Sequence, residues 1–119
     1  MEKFSVTLPL TGEYLTTVRL TTGGLCALAG FDVDSAEDFK VCVTESLLIL
    51  KRNGFRQAVI DFTIGESLGC TVCGKERIGE KEEALEEEIS RALLAALLGQ
   101  VDFVKDATGE VVEKIAFEG

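Results

Sequence analysis

A single glutamate, Glu45, stands in the otherwise mostly apolar segment VCVTESLLIL, which covers residues 41–50. A carboxylate in such surroundings can act as a general base or position an attacking group in a catalytic site. It can equally be an ordinary helix residue that pairs with Lys51 or Arg52, or that meets solvent. The choice between these interpretations depends on the elements that surround Glu45.

Four cysteines, Cys26, Cys42, Cys70 and Cys73, offer a second possible chemistry. Cys70 and Cys73 form a lone CxxC pair, but a zinc site needs a second pair of ligands and the chain has no histidine. On a strand these two side chains would point to opposite faces, which suits neither chelation nor a disulfide. We therefore expect small buried thiols in a reducing compartment, and no metal.

The composition indicates one domain with ample core material and no affinity for polyanions. The 119 residues are 46% hydrophobic and carry a formal net charge of −9, so nucleic acid and anionic membrane surfaces would repel the chain. No signal peptide is visible, and no stretch approaches the roughly 20 apolar residues of a membrane span. We expect a single cytoplasmic domain over residues 1–119, with apolar surface left for a protein partner or a second copy.

Hydrophobic periodicity predicts eight elements in the order β-α-α-β-β-α-β-β. The predicted strands are residues 3–10, 57–64, 68–73, 100–105 and 110–117, and the predicted helices are residues 13–29, 35–52 and 82–98. Pro9 favours an edge position for the first strand, because proline donates no backbone hydrogen bond. Short connections between the strands favour an α+β two-layer sandwich, with a mostly antiparallel sheet and helices on one face.

Two local patterns concern the second and the third predicted helix. Asp34, with Glu37 three residues later, resembles a capping box at the start of the second helix. In the third helix, apolar residues at helical spacing predict the side that packs on the core. They are Leu85, Ile89, Ala92, Leu93, Ala96 and Leu97.

The stretch YLTTVRLTTGGLCALAGFDVDSAEDFKVCVTESLLILKRNGF, residues 14–55, resembles the anti-sigma factor serine kinases. This family belongs to the GHKL, or Bergerat-fold, ATPase superfamily, with histidine kinases and gyrase. The resemblance rests on an arginine in the first helix, Arg19, and on a DxKxxx[ST]E pattern formed by Asp38, Lys40, Thr44 and Glu45. Residues 89–117 are similar to the last helix and closing hairpin of the family, so the resemblance covers nearly the whole chain and implies a Bergerat fold.

The resemblance implies a role for each matched position. Glu45 takes the place of the N-box glutamate, which acts as general base or positions the attacking group. The asparagine that coordinates Mg²⁺ four residues later is replaced by Ile49, whose side chain offers no oxygen to a hard cation. The aspartate that recognises adenine is absent from the strand that should carry it, where Gly74 is a weak match and Glu76 a fainter one.

The segment that corresponds to the ATP lid is also unfavourable to a nucleotide. Residues 75–88 contain seven glutamates, and negative charge beside a triphosphate is repulsive. These three departures predict a degenerate member of the family with no ATP or Mg²⁺ cofactor, in which Glu45 is vestigial.

Two kinds of function remain for such a protein. As a regulator it would bind a sigma factor or an anti-anti-sigma protein, with Arg19 on the partner-facing side, and would form a homodimer through the N-terminal strand. The alternative is an ATP-dependent protein serine kinase with Glu45 as base and a non-standard oxygen ligand for Mg²⁺. A structural subunit that uses the fold only for assembly is a third possibility.

Overall fold

In the computed structural model, which describes residues 2–82 and 85–119, the chain forms five strands and three helices in the predicted order. The elements are β1 (Glu2–Pro9), α1 (Gly12–Leu28), α2 (Val33–Arg52), β2 (Phe55–Ile64), β3 (Leu68–Arg77), α3 (Leu85–Leu98), β4 (Asp102–Lys105) and β5 (Val112–Glu118).

All neighbouring strands of the sheet are antiparallel, and their order is β1-β2-β3-β5-β4. The predicted edge position of β1 is confirmed, and Pro9 lies at its end opposite Gln57. Between β4 and β5, Gly109 closes the predicted turn by donating its backbone N–H to the Asp106 carbonyl at 3.0 Å. Gly109 has a φ of 76°, a left-handed conformation that glycine adopts without strain.

Helix α2 is the central helix, because it packs on β2, β3 and β5 and also contacts both α1 and α3. Buried residues alternate along the strands, so that Ile60, Val72 and Ile115 lie side by side beneath α2. The opposite face of the sheet carries exposed or half-buried residues such as Asp61 and Lys114. The fold is therefore α+β, with the helices covering one face of an antiparallel sheet.

The predicted N-cap of α2 at Asp34 is wrong, and the cap is Asp32. The Asp32 carboxylate accepts a hydrogen bond from the Ser35 backbone N–H at 2.7 Å, and this bond lowers the pKa of Asp32. Asp32 has an extended backbone, whereas Asp34 lies inside the first turn of the helix.

Strand β3 continues to Arg77, four residues beyond its predicted end. The reason is that β2 begins earlier than predicted, at Phe55, and the backbone pairing continues through Phe55 and Arg77. Two other elements are shorter than predicted: β4 begins at Asp102 instead of residue 100, and β5 begins at Val112 instead of residue 110. The predicted helical residue Glu83 lies outside the described residues.

The prediction of small buried thiols is confirmed for three of the four cysteines. All four thiols are free; Cys26, Cys42 and Cys70 are buried, and Cys73 is half-buried. Residues 2–82 and 85–119 contain no group of three or more side chains that could hold a metal ion. None of their helices is long and apolar enough to cross a bilayer.

Candidate functional site at the contact between α2 and α3

The second helix holds Glu45 and Ile49 one turn apart, but in different environments. Glu45 is half-buried at the contact between α2 and α3, whereas the Ile49 side chain is completely buried in the core. Of the other apolar neighbours of Glu45, Val41 and Leu48 are half-buried. The position at which the resemblance implies a metal ligand is therefore part of the packing that stabilises the fold.

The Glu45 carboxylate is engaged by a hydroxyl from the third helix. Ser90 Oγ donates a hydrogen bond to Glu45 Oε2 at 2.7 Å, and Arg52 Nη2 donates to Ser90 Oγ at 2.6 Å. Among the described residues Glu45 forms no direct ion pair with Lys51 or Arg52, because the Ser90 hydroxyl lies between Glu45 and Arg52. No sequence pattern indicates that Ser90 contacts Glu45, although Ser90 lies one turn before the buried Leu94.

Two further charged side chains extend this contact along α3. The Glu87 carboxylate lies 4.0 Å from Arg52 and 3.9 Å from Arg91, and both of its oxygens are buried without a hydrogen-bond donor among the described residues. The Arg91 guanidinium also stacks over the Phe103 ring at 4.6 Å. The side of α3 that packs on α2 therefore carries a hydroxyl and two charged groups.

The side-chain amide closest in sequence to Ile49 is that of Asn53, and it already forms two hydrogen bonds within the fold. Asn53 Nδ2 donates to the Ile49 carbonyl at 2.8 Å, and Asn53 Oδ1 accepts from the Val112 backbone N–H at 3.0 Å. Both bonds are buried, so turning this amide toward a metal would leave buried backbone groups unpaired. Asn53 therefore does not take the place of the metal-binding asparagine.

The two weak matches to the adenine-recognition motif have different explanations. Gly74 lies against the ring of Phe55, and a Cβ at this position would approach the ring to 2.4 Å. This close packing explains the glycine without a nucleotide. Glu76 has a φ of 55°, a left-handed conformation that costs a non-glycine residue roughly 1–2 kcal/mol.

The segment that the resemblance aligns with the ATP lid is hydrogen-bonded to the end of α2. The Gly54 carbonyl accepts backbone hydrogen bonds from Ile78 at 3.0 Å and Gly79 at 3.1 Å, and the Arg52 carbonyl accepts one from Glu82 at 2.7 Å. A Cβ on Gly54 would lie 2.2 Å from the Gly79 carbonyl oxygen, so the two chain segments are in direct backbone contact.

Arg19 lies elsewhere, on the exposed side of α1. It lines a shallow groove with Leu20, Gly23 and Lys40, and the aliphatic part of Lys40 passes over Gly23. Lys40 is paired with Glu37 at 2.6 Å, whereas Arg19 forms no ion pair with Glu13 in the described part of the chain. The structure does not bring Arg19 and Glu45 into one site.

Burial keeps the core thiols protonated. It raises the pKa of the Cys42 thiol from 9.0 to about 12, and it raises the pKa of Cys26 and of Cys70 as well. Because a thiol must be deprotonated to act as a nucleophile or a metal ligand, these three cysteines are core residues.

Comparison with known proteins gives a partial match to one kind of kinase. The chain is 30% identical over 63 residues to the serine-protein kinase RsbW of Bacillus mycoides (strain KBAB4) and to that of Bacillus cereus (strain B4264). The match covers 53% of this chain and 39% of each relative, so the chain matches about two fifths of the length of these curated relatives. RsbW of Bacillus thuringiensis (strain Al Hakam) is 29% identical over the same length. No protein-family model matches the chain.

Proposed function

We propose that this chain is a regulatory protein of the anti-sigma-factor type, which binds a protein partner and holds no nucleotide. The observation that carries the proposal is the closed contact between α2 and α3. There the Glu45 carboxylate accepts a hydrogen bond from Ser90, while Ile49 is buried in the core. The distant similarity to RsbW supports the kind of regulator, and the contact supports a role without a cofactor.

A nucleotide would have to overcome several features of this contact. Use of Glu45 Oε2 requires the Ser90 hydroxyl to move away, which removes a hydrogen-bond partner from both Glu45 and Arg52 in a partly buried place. Leu94, which is completely buried, would lose its packing if α3 moved with Ser90. Phosphates at this contact would also meet the buried Glu87 carboxylate, which repels them.

The resemblance implies a sigma factor or an anti-anti-sigma protein as the partner. Arg19 is a reasonable contact for such a partner, because it is exposed and its groove includes the apolar, exposed Leu20. An arginine beside an apolar surface is typical of the residues that contribute most to protein interfaces. We expect Arg19→Ala to weaken capture of the partner.

The resemblance also implies a homodimer with β1 at the interface. Strand β1 is at the edge of the sheet, and an apolar cavity of about 180 Å³ lies between it and α1. Val6, Tyr14 and Phe62 are among the lining residues, and the ring of Tyr14 is 43% exposed. A second copy that covers this edge would bury both the apolar side chains and the unpaired strand.

The absence of a cofactor is tested by thermal unfolding with and without Mg²⁺ and ATP. A ligand at a hundredfold excess over its Kd adds about 2.7 kcal/mol to the free energy of unfolding, which is a shift of several degrees for a domain of this size. We expect no shift for the natural chain and none for Glu45→Gln. A clear shift for the natural chain that is lost in Glu45→Gln would overturn the proposal.

The second candidate function, a protein serine kinase, is favoured by one specific contact. In the structure the Glu45 carboxylate already accepts a hydrogen bond from a serine hydroxyl at 2.7 Å, the geometry by which a general base receives a proton. Incubation with radiolabelled ATP, Mg²⁺ and an anti-anti-sigma protein tests it. Phosphate transfer by the natural chain, with none by Glu45→Gln, would establish the kinase in place of the regulator.

A further inference from the structure

Helix α3 exposes a continuous apolar ridge. Leu85 is 71% exposed and Ile89 is 59% exposed, and the smaller Ala92 and Ala96 on the same side are exposed as well. With about 100° of rotation per residue, these four side chains fall within roughly 60° of one another around the helix axis. They are four of the six residues that the sequence predicts to pack on the core, so that prediction is wrong for this part of α3.

The opposite side of the helix is the one that packs on α2. It carries the completely buried Leu94, but also Glu87, Ser90 and the guanidinium of Arg91. Leu94, Leu97 and Leu98 pack on the core beside these polar groups, while a second apolar row faces outward, which is unusual for a surface helix. Exposed leucine and isoleucine side chains in a continuous row mark a surface that another molecule covers.

The charges beside the ridge have one sign. Glu86 and Glu88 are both exposed and lie on opposite flanks of the ridge by helical rotation, and Glu82 is exposed just before the helix. Two cations close to the ridge in sequence are engaged elsewhere. Arg91 stacks on Phe103, and Lys81 Nζ donates to the Glu110 carbonyl at 3.0 Å. The ridge is thus apolar along its centre and acidic along both edges.

We propose that this ridge is the docking face for an amphipathic helix with basic flanks, supplied by a protein partner. Such a helix would place its apolar stripe on Leu85 and Ile89, and its lysines or arginines against Glu86 and Glu88. The small side chains of Ala92 and Ala96 let the second helix approach closely. The inference rests on the proposed function, since it specifies the surface through which a protein-binding regulator would hold its partner.

Charge complementarity favours a helix with basic flanks over two other occupants of the ridge, a second copy of the chain and an anionic bilayer. A second copy would bring the same acidic flanks together, and like charges at an interface oppose association. An anionic bilayer would be repelled by Glu86 and Glu88 for the same reason.

The test measures binding of fluorescent synthetic helices of about 18 residues to the full chain. One peptide has a leucine stripe flanked by lysines, a second has the same stripe flanked by glutamates, and a third has the composition of the first without a stripe. We expect the first peptide to bind and the other two to bind at least about tenfold more weakly. Added salt should weaken binding of the first peptide, because part of the attraction is between charges.

Substitutions on the chain locate the binding surface. Ile89→Lys should weaken binding of the lysine-flanked peptide by about tenfold or more. Leu28→Lys is the matched control, because Leu28 is 74% exposed at the end of α1 and should leave binding unchanged. Leu85→Lys provides a second variant on the ridge, and circular dichroism with thermal melting confirms that each variant is folded.

Several outcomes would overturn the inference. One is equal binding of the glutamate-flanked or the stripe-free peptide, and another is equal loss of binding in Leu28→Lys. A dimer that Ile89→Lys dissociates would show that a second copy covers the ridge, and loss of binding to zwitterionic lipid vesicles in the same variant would indicate a membrane.

Failure of this inference is distinguishable from failure of the proposed function. If the natural chain captures neither a sigma factor nor an anti-anti-sigma protein, the proposed function fails. If it captures one and Ile89→Lys captures it equally well, only the docking face is wrong.

Discussion

Ser90 connects two helices through a single hydroxyl, which donates to Glu45 and accepts from Arg52. Serine is otherwise a poor choice for the middle of a helix, since its hydroxyl competes for backbone hydrogen bonds. Here the hydroxyl allows a carboxylate and a guanidinium to share one small partly buried space without direct contact. The side chain therefore serves packing and electrostatics at the same time.

The stability contributed by this hydroxyl is measurable. Ser90→Ala removes the donor to Glu45 and the acceptor for Arg52, and we expect a loss of about 1–3 kcal/mol in the free energy of unfolding. Ser35→Ala is the matched control, because Ser35 is exposed and uses its backbone N–H to cap α2. Urea unfolding of both variants measures the difference, and equal stability would show that the Ser90 contact contributes nothing.

The thiols provide a second prediction at the residue scale. Because Cys26, Cys42 and Cys70 are buried and the pKa of each is raised, a thiol reagent at pH 8 should label Cys73 first. The other three should react only at the rate of unfolding. Mass spectrometry of the partly labelled chain identifies the modified residue, and rapid labelling of Cys42 would contradict the buried position described above.

The raised pKa of Cys42 also predicts a pH dependence. The folded state keeps this thiol neutral up to about pH 12, whereas in the unfolded chain it ionises near pH 9. The unfolded state therefore loses its proton first, so stability is unchanged by this group below about pH 9 and falls as the pH rises from there toward 12. Cys42→Ala should reduce this alkaline loss of stability, as measured by urea unfolding at pH 7 and pH 10.

At the scale of elements, the end of β3 contains the clearest backbone strain. Glu76 adopts a left-handed conformation, so Glu76→Gly should leave stability unchanged or increase it by up to about 1 kcal/mol. The neighbouring Lys75→Gly is the control. Lys75 is paired with Gln57 in the sheet, and glycine there should cost about 0.5–1 kcal/mol. Thermal unfolding of both variants measures these changes in stability. Loss of stability in Glu76→Gly would mean that the glutamate side chain is required for the fold.

Helix α3 shows why some elements can be predicted while their packing cannot. Its apolar residues form two groups around the axis: Leu85, Ile89, Ala92 and Ala96 on one side, and Leu94, Leu97 and Leu98 on the other. Periodicity alone gives no reason to prefer either group as the core side. The choice depends on α2, where Glu45 and Arg52 require a small polar partner, and only the side that carries Ser90 supplies one.

For the whole molecule, the order of the elements follows from the sequence because each element has a strong local pattern. The edge position of β1 was predictable from Pro9, and the buried Ile49 from its apolar neighbours on α2. The cap at Asp32 was not predictable, because Asp32 and Asp34 are equally good caps by residue type and differ only in backbone conformation. Likewise the extension of β3 depends on its pairing with β2, which no local pattern encodes.

The oligomeric state is a prediction for the whole molecule. If a second copy covers the edge formed by β1 and α1, light scattering should detect a dimer, and Phe4→Glu should dissociate it because Phe4 is 42% exposed at this edge. Leu28→Glu is the control, since Leu28 is exposed at the far end of α1. A monomer at high concentration would exclude the dimer, and equal dissociation by both variants would place the interface elsewhere.

The C-terminal end of α2 is where several parts of the chain are joined. The carbonyls of Arg52, Asn53 and Gly54 accept hydrogen bonds from residues 77–82, and the Asn53 amide holds the first residue of β5. For residues 78–82 to swing outward as a lid, these hydrogen bonds must break together. The amides of Ile78, Gly79 and Glu82 should therefore exchange with deuterium far more slowly than those of an isolated surface loop.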